Sequence, residues 1–156
     1  MSAVMNVPTL TVRRKIAAPA QDIFDAWLDP KAMAEWMRPC SAGTKNSDVK
    51  TDARVGGAFE IVMHVASGPV RHTGIYQIIE RPRRLAFTWN SIHAGENDSL
   101  VTVEFLASGD STEIVLTHER LPGDALVAHT GGWTDILNGL ARSMARKLPD
   151  PCVLAI

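Results

Sequence analysis

Residues 121–147 read LPGDALVAHTGGWTDILNGLARSMARK, and the stretch decides the fold. Its apolar residues recur at helical spacing, so it predicts one long helix from about Gly123 to about Lys147. At about 100° per residue two stripes separate on its surface. Trp133, Ile136, Leu137, Leu140 and Met144 form a large apolar stripe, and Ala125, Ala128, Gly132, Gly139 and Ser143 form a stripe of small residues beside it. Together they cover nearly half the circumference. That is wide for a helix on a flat surface and suits a helix gripped by a curved sheet. The adjacent Gly131 and Gly132 each cost roughly 1 kcal/mol relative to alanine inside a helix. Gly132 falls in the small stripe, where close backbone approach or room for another molecule would offset that cost. A break at Gly131 into two shorter helices is the alternative.

Upstream of the helix the pattern is almost entirely strand. Thr9–Ile16 alternates and is β-branched. "APAQDIFDAWLDPKAMAEWM" (residues 18–37) then reads as two short helices, with Pro19 suiting a helix start and Pro30 dividing them. Ile23, Phe24 and Trp27 share one face of the first; Ala34, Trp36 and Met37 supply apolar surface on the second. From Ser47 to Glu119 consecutive strands alternate with short turns, which makes an antiparallel meander. Gly56–Gly57 signals a tight hairpin and Ser67–Gly68–Pro69 a turn. Further turns fall at Gly95–Asp98 and Ser108–Asp110. Phe59, Ile61, Met63 and Val65 share a face, as do Leu85, Phe87 and Trp89, then Val101, Val103 and Phe105, then Ile114, Leu116 and His118. Strand, two short helices, six strands and one long helix make an α+β layer.

Length and composition bound the function. A chain of 156 residues, 46% hydrophobic, fits one domain with a real core. With 16 basic and 17 acidic residues it has no excess of positive charge, which argues against nucleic acid as a partner. Arg13–Arg14 and Arg83–Arg84 read as solvated edges. Cys40 and Cys152 form no CxxC pair, so neither a disulfide framework nor a zinc ribbon is expected. The N-terminal stretch does not read as a signal peptide, no apolar run approaches a membrane span, and Cys152 stands one residue too early for prenylation. A reduced, cytoplasmic protein is the expectation.

The order and motifs resemble the helix-grip fold of the START-like, or SRPBCC, superfamily. The likeness is nearest to the branch of activators of the heat-shock protein ninety ATPase. It rests on "APAQDIFDAWLDPKAMAEW", "VGGAFEIVM", "GIYQIIERPRRLAFTW", "STEIVLTHERLP" and "GGWTDILNGL", in that order along the chain. The resemblance implies a curved seven-stranded antiparallel sheet wrapped around one long C-terminal helix, with two short helices after the first strand. It covers a single domain with its core at about residues 9–147, and places a cavity between helix and sheet. Met37–Arg38–Pro39 and Ile78 depart from the usual branch pattern and would alter the cavity mouth.

Candidate chemistry is sparse. His64, His72, His93, His118 and His129 show no local metal spacing, and no GxSxG elbow, P-loop or dinucleotide fingerprint occurs. Neither a metal nor a cofactor is expected. His118 reads either as a buried imidazole bonded to backbone or as a polar anchor for a ligand; His72 and Tyr76, on one strand face, read the same way. The candidate ligand lining combines Trp27, Trp36 and Met37 from the short helices with Phe59, Ile61, Met63, His72, Tyr76, Phe87 and Trp89 from the first strands of the meander. Val103, Phe105, Leu116 and His118 come from its last two strands, and Gly132, Trp133 and Ile136 from the long helix. The leading function is binding of a small apolar or lipid-like molecule. A co-chaperone touching a heat-shock chaperone and a cyclase, dehydratase or hydrolase type of enzyme are the alternatives. A second copy of the chain is a further candidate partner.

Overall fold

A computed structural model describes residues 9–39, 45–92 and 98–145. The elements run β1 (Thr9–Ile16), α1 (Ala20–Ala26), α2 (Pro30–Trp36), β2 (Asp48–Thr51), β3 (Ala58–Val65), β4 (Gly68–Glu80), β5 (Arg84–Trp89), β6 (Ser99–Ser108) and β7 (Ser111–Glu119). A 3-10 turn over Gly123–Ala125 leads into α3 (Leu126–Ala145). The seven strands form one antiparallel sheet in the order β1-β7-β6-β5-β4-β3-β2, so β1 joins the far end of the meander. This is the expected α+β helix-grip fold.

Local chemistry sets the element boundaries. Pro19 stands just ahead of α1, and Pro30 opens α2 while the Asp29 carboxylate accepts from Lys31 N–H at 3.0 Å. α1 buries Ile23, Phe24 and Ala26; α2 buries Met33 and Trp36. The strand alternation holds: Leu10, Val12 and Ile16, then Phe59, Ile61 and Met63, then Val101, Val103 and Phe105 all turn into the core.

Curvature enters at β4. Its register against β5 shifts between Tyr76 and Ile78, a bulge that bends the strand. Gly74 lies there with no room for a side chain: a Cβ would run into the Thr88 carbonyl oxygen and the Phe59 ring. Only glycine permits that approach of β4 to β5.

Several sequence expectations need correction. Gly56–Gly57 do not make a tight hairpin. Residues 52–57 form a six-residue loop between β2 and β3, and Gly56, at φ +86°, donates its N–H to the Tyr76 carbonyl at 2.8 Å. The loop is long because it pairs sideways with β4. The β3–β4 turn lies at Ala66–Ser67, because Val65 pairs directly with Gly68 and Pro69 already sits in the strand. α3 runs through Gly131 and Gly132 without a break, and its predicted end at Lys147 falls outside the described residues, as do Cys40, His93, the Gly95–Asn97 part of its turn and Cys152.

α3 is not centred over the sheet. It packs most closely beside β1 and against α2, and Arg14 Nε on β1 donates to Asn138 Oδ1 at 2.9 Å. Trp133, Ile136, Leu137 and Leu140 face the core, as the large stripe predicts. The small stripe divides by role. Gly139 is buried where a Cβ would stand 3.7 Å from the Trp36 carbonyl oxygen, whereas Ala128 is exposed and Gly132 half-buried. At Gly139 a Cβ would make only an ordinary contact, so packing on α2 does not require glycine there; Ala128 and Gly132 border a cleft.

Candidate functional site

Because α3 leans toward β1, its N-terminal half stands off from β3 and β4. The gap is a cleft of about 220 Å³. Met63 and Val65 from β3, Val70 and His72 from β4, and Trp89 from β5 form one wall. Ala128, His129, Gly132, Trp133 and Ile136 from α3 form the other, and Pro39 closes an end. The Trp89 and Trp133 rings meet at 5.0 Å between centroids, and the His72 ring lies 4.8 Å from Trp89. Such a lining favours flat apolar groups.

Behind the cleft runs a chain of buried hydrogen bonds. Trp133 Nε1–H donates to His118 Nδ1 at 3.0 Å, which leaves the His118 proton on Nε2. Nε2–H then donates to Ser99 Oγ at 2.8 Å, and the Ser99 hydroxyl donates to the Trp89 carbonyl at 2.5 Å. Every member has a partner, and α3 is tied to β7, β6 and β5 by one relay. Burial pushes the His118 pKa down to about 3, with a smaller push from His129, whose ring lies 5.3 Å away. A second proton would have to sit on Nδ1 and face the indole N–H. His118 is thus a neutral structural pin and a weak general base at pH 7. Its expected backbone partner is replaced by two side chains, because Trp133 on α3 lies within reach.

Tyr76 is buried, and its phenol is pushed up to about 12, first by burial and then by the Asp52 carboxylate. It therefore stays protonated and neutral.

The predicted lining separates into three groups. Met63, His72, Trp89, Gly132, Trp133 and Ile136 converge on the cleft. Trp27, Met37, Phe59, Ile61, Tyr76 and Phe87 lie deeper, around a residual void of about 10 Å³ that Trp89 also borders. Trp36, Val103, Phe105, Leu116 and His118 are packed into the core and line neither space. Pro39, Val65, Val70, Ala128 and His129 also border the cleft and were not in the predicted lining. Val65 and Val70 were legible, since each shares a strand face with a chosen neighbour. A larger depression of about 590 Å³ on the outer sheet face has charged walls, and its Arg71 already pairs with Glu60. Among the described residues no cluster of three His, Cys, Asp or Glu side chains is placed to hold a metal ion.

A family model described as "Activator of Hsp90 ATPase homolog 1-like protein" matches residues 17–145. The chain belongs to that family. No curated protein matches it. Among solved structures, a Chromobacterium violaceum protein is 25% identical over 87% of this chain and 96% of its own, with a TM-score of 0.73. A Rhizobium leguminosarum protein is 26% identical over 90% of this chain and 95% of its own, with a TM-score of 0.71. An Hsp90 activator from Plasmodium falciparum shares the fold at 22% identity and a TM-score of 0.59, over 88% of this chain and 91% of its own. This member of the activator-homologue family therefore has the helix-grip scaffold, with no helix among its described residues long and apolar enough to cross a membrane.

Proposed function

We propose that the protein binds a small apolar molecule in the cleft between α3 and strands β3–β5. One observation carries this reading. The side chains around the cleft are large and apolar, yet α3 presents Ala128 and Gly132 there and leaves the space unfilled. Cores pack densely and voids cost stability, so an apolar cleft kept wide by small residues suits a ligand. An engineered cavity of about 150 Å³ accepts benzene. By that scale the cleft, at about 220 Å³, suits a one- or two-ring molecule. A naphthalene-based fluorescent probe should bind the folded protein with micromolar affinity, and a fatty acid should displace it. Native mass spectrometry of freshly purified protein should find a co-purified small molecule. A probe that binds no better to folded than to urea-unfolded protein would sink the reading.

A chaperone contact is a second reading, favoured by the family to which the chain belongs. Its test is a pull-down with purified Hsp90 followed by an ATPase measurement. Unchanged ATPase activity and no retained protein would remove it.

A further inference from the structure

Beyond the cleft, the void of about 10 Å³ has an unusual border. Trp27 and Trp89 both line it, and both indole nitrogens are buried with no acceptor among the described residues. Trp27 is 1% exposed and Trp89 2% exposed, so solvent at the surface does not satisfy either. A buried donor left unpaired costs about 1–3 kcal/mol; Trp36 Nε1 is unpaired as well, but only Trp27 and Trp89 of the three border this one space. The lining holds no carboxylate and no cationic side chain. Two of its members, Met33 and Met37, are unbranched and can repack to enlarge it. Trp89 also lines the cleft, so the two spaces share a wall.

We propose that the deep end of the ligand carries a hydrogen-bond acceptor oxygen, of the carbonyl or ether kind, that enters past the Trp89 ring and accepts from the Trp27 and Trp89 indole N–H groups. The inference rests on the cleft being the binding site. It specifies a neutral aromatic or alicyclic ketone, ester or ether rather than a hydrocarbon, an amine or a carboxylate. A carbonyl oxygen has two lone pairs and can accept from two donors at once. An anion there would have no counter-charge in a low-dielectric setting. An ordered water is the other source of an acceptor oxygen, and the two sources differ in what they do to ligand preference.

The test compares two probes of matched shape, 2-acetylnaphthalene and 2-isopropylnaphthalene, by titration calorimetry and tryptophan quenching. The ketone should bind the native protein about tenfold more tightly. In Trp27→Phe the hydrocarbon should bind as before, while the ketone loses most of its advantage; unchanged hydrocarbon affinity shows that the variant is folded. Should Trp27→Phe fail to fold, Trp89→Phe is read by the ratio of ketone to hydrocarbon affinity alone, because Trp89 also lines the cleft and both probes lose its contact there. Equal affinities of the two probes for native protein would overturn the inference, assign the donors to water, and leave apolar binding standing. A ketone preference that survives both substitutions would overturn it as well. Binding of neither probe would overturn both this inference and the proposed function.

Discussion

Replacing Gly132 with leucine separates stability from binding in a way that only the observed geometry predicts. Gly132 is half-buried on the cleft side of α3, and a Cβ built there meets nothing within 4 Å. Overpacking, which commonly costs about 1–3 kcal/mol, therefore does not arise. Helix propensity improves by about 1 kcal/mol. Partial burial of the side chain against Trp133, Ile136 and Val70 adds roughly another 1 kcal/mol before side-chain ordering is subtracted. A net gain of about 1–2 kcal/mol raises Tm by roughly 3–6 °C for a domain of this size. The same side chain brings four carbons into the cleft. At roughly 30 Å³ for each water-sized group, they remove on the order of 100 Å³, close to half of the 220 Å³ present. Naphthalene-probe affinity should fall at least tenfold. Gly131→Ala is the control, because Gly131 is exposed, its Cβ also meets nothing, and it does not line the cleft. It should gain about 1 kcal/mol and bind the probe unchanged. The two variants are compared by thermal unfolding and by fluorescence titration on the same samples. A Gly132→Leu protein that melts lower than the parent, or that keeps full probe affinity, would refute the placement of this helix face.

Other consequences follow from the buried relay. Trp133→Ala should cost about 3–5 kcal/mol in urea denaturation, as for a buried aromatic. Trp133→Phe keeps most of the packing but strands His118 Nδ1, and should cost about 1–3 kcal/mol; a neutral effect would mean the indole–imidazole bond is absent. The folded-state pKa of His118 lies below its unfolded value of about 6.5. The unfolded chain therefore takes up a proton that the folded chain refuses, and stability is lost as pH falls from about 6.5 toward 3. At pH 4.5 the loss amounts to about 3 kcal/mol, measurable as the excess pH dependence of wild type over His118→Leu between pH 7.5 and 4.5. Parallel pH profiles for the two proteins would contradict the assignment. Chelator treatment should leave Tm unchanged, and a stoichiometric metal in elemental analysis would overturn that expectation.

The fold was legible because its signals are periodic and local. Phe59, Ile61 and Met63 alternate, Trp133, Ile136 and Leu140 recur at helical spacing, and Pro30 can only open α2 or interrupt a helix. The turns were less legible because glycine has more than one use. Gly56 supplies a positive φ inside a loop, whereas Gly74 permits a close approach of two strands, and neither spacing nor composition tells these apart. The site was legible only in part, for a related reason. Periodicity tells which way a side chain points, not whether a facing element reaches it. Val103, Phe105 and Leu116 point inward like Met63 and Trp89, yet the first three are buried away from the cleft, Phe105 against the Phe24 and Trp27 rings. What separates the two sets is where α3 packs: it lies against β1 and α2 rather than β3 and β4, and contacts such as Arg14 with Asn138 join residues 124 positions apart, beyond the reach of local periodicity. The small residues on α3 carried the one sequence trace of the cleft. Gly132 is small where a Cβ would meet nothing and the helix faces the cleft, whereas Gly139 is buried with its Cβ position at ordinary contact distance from the Trp36 carbonyl, so the stripe marks the open space without marking a close contact beside it.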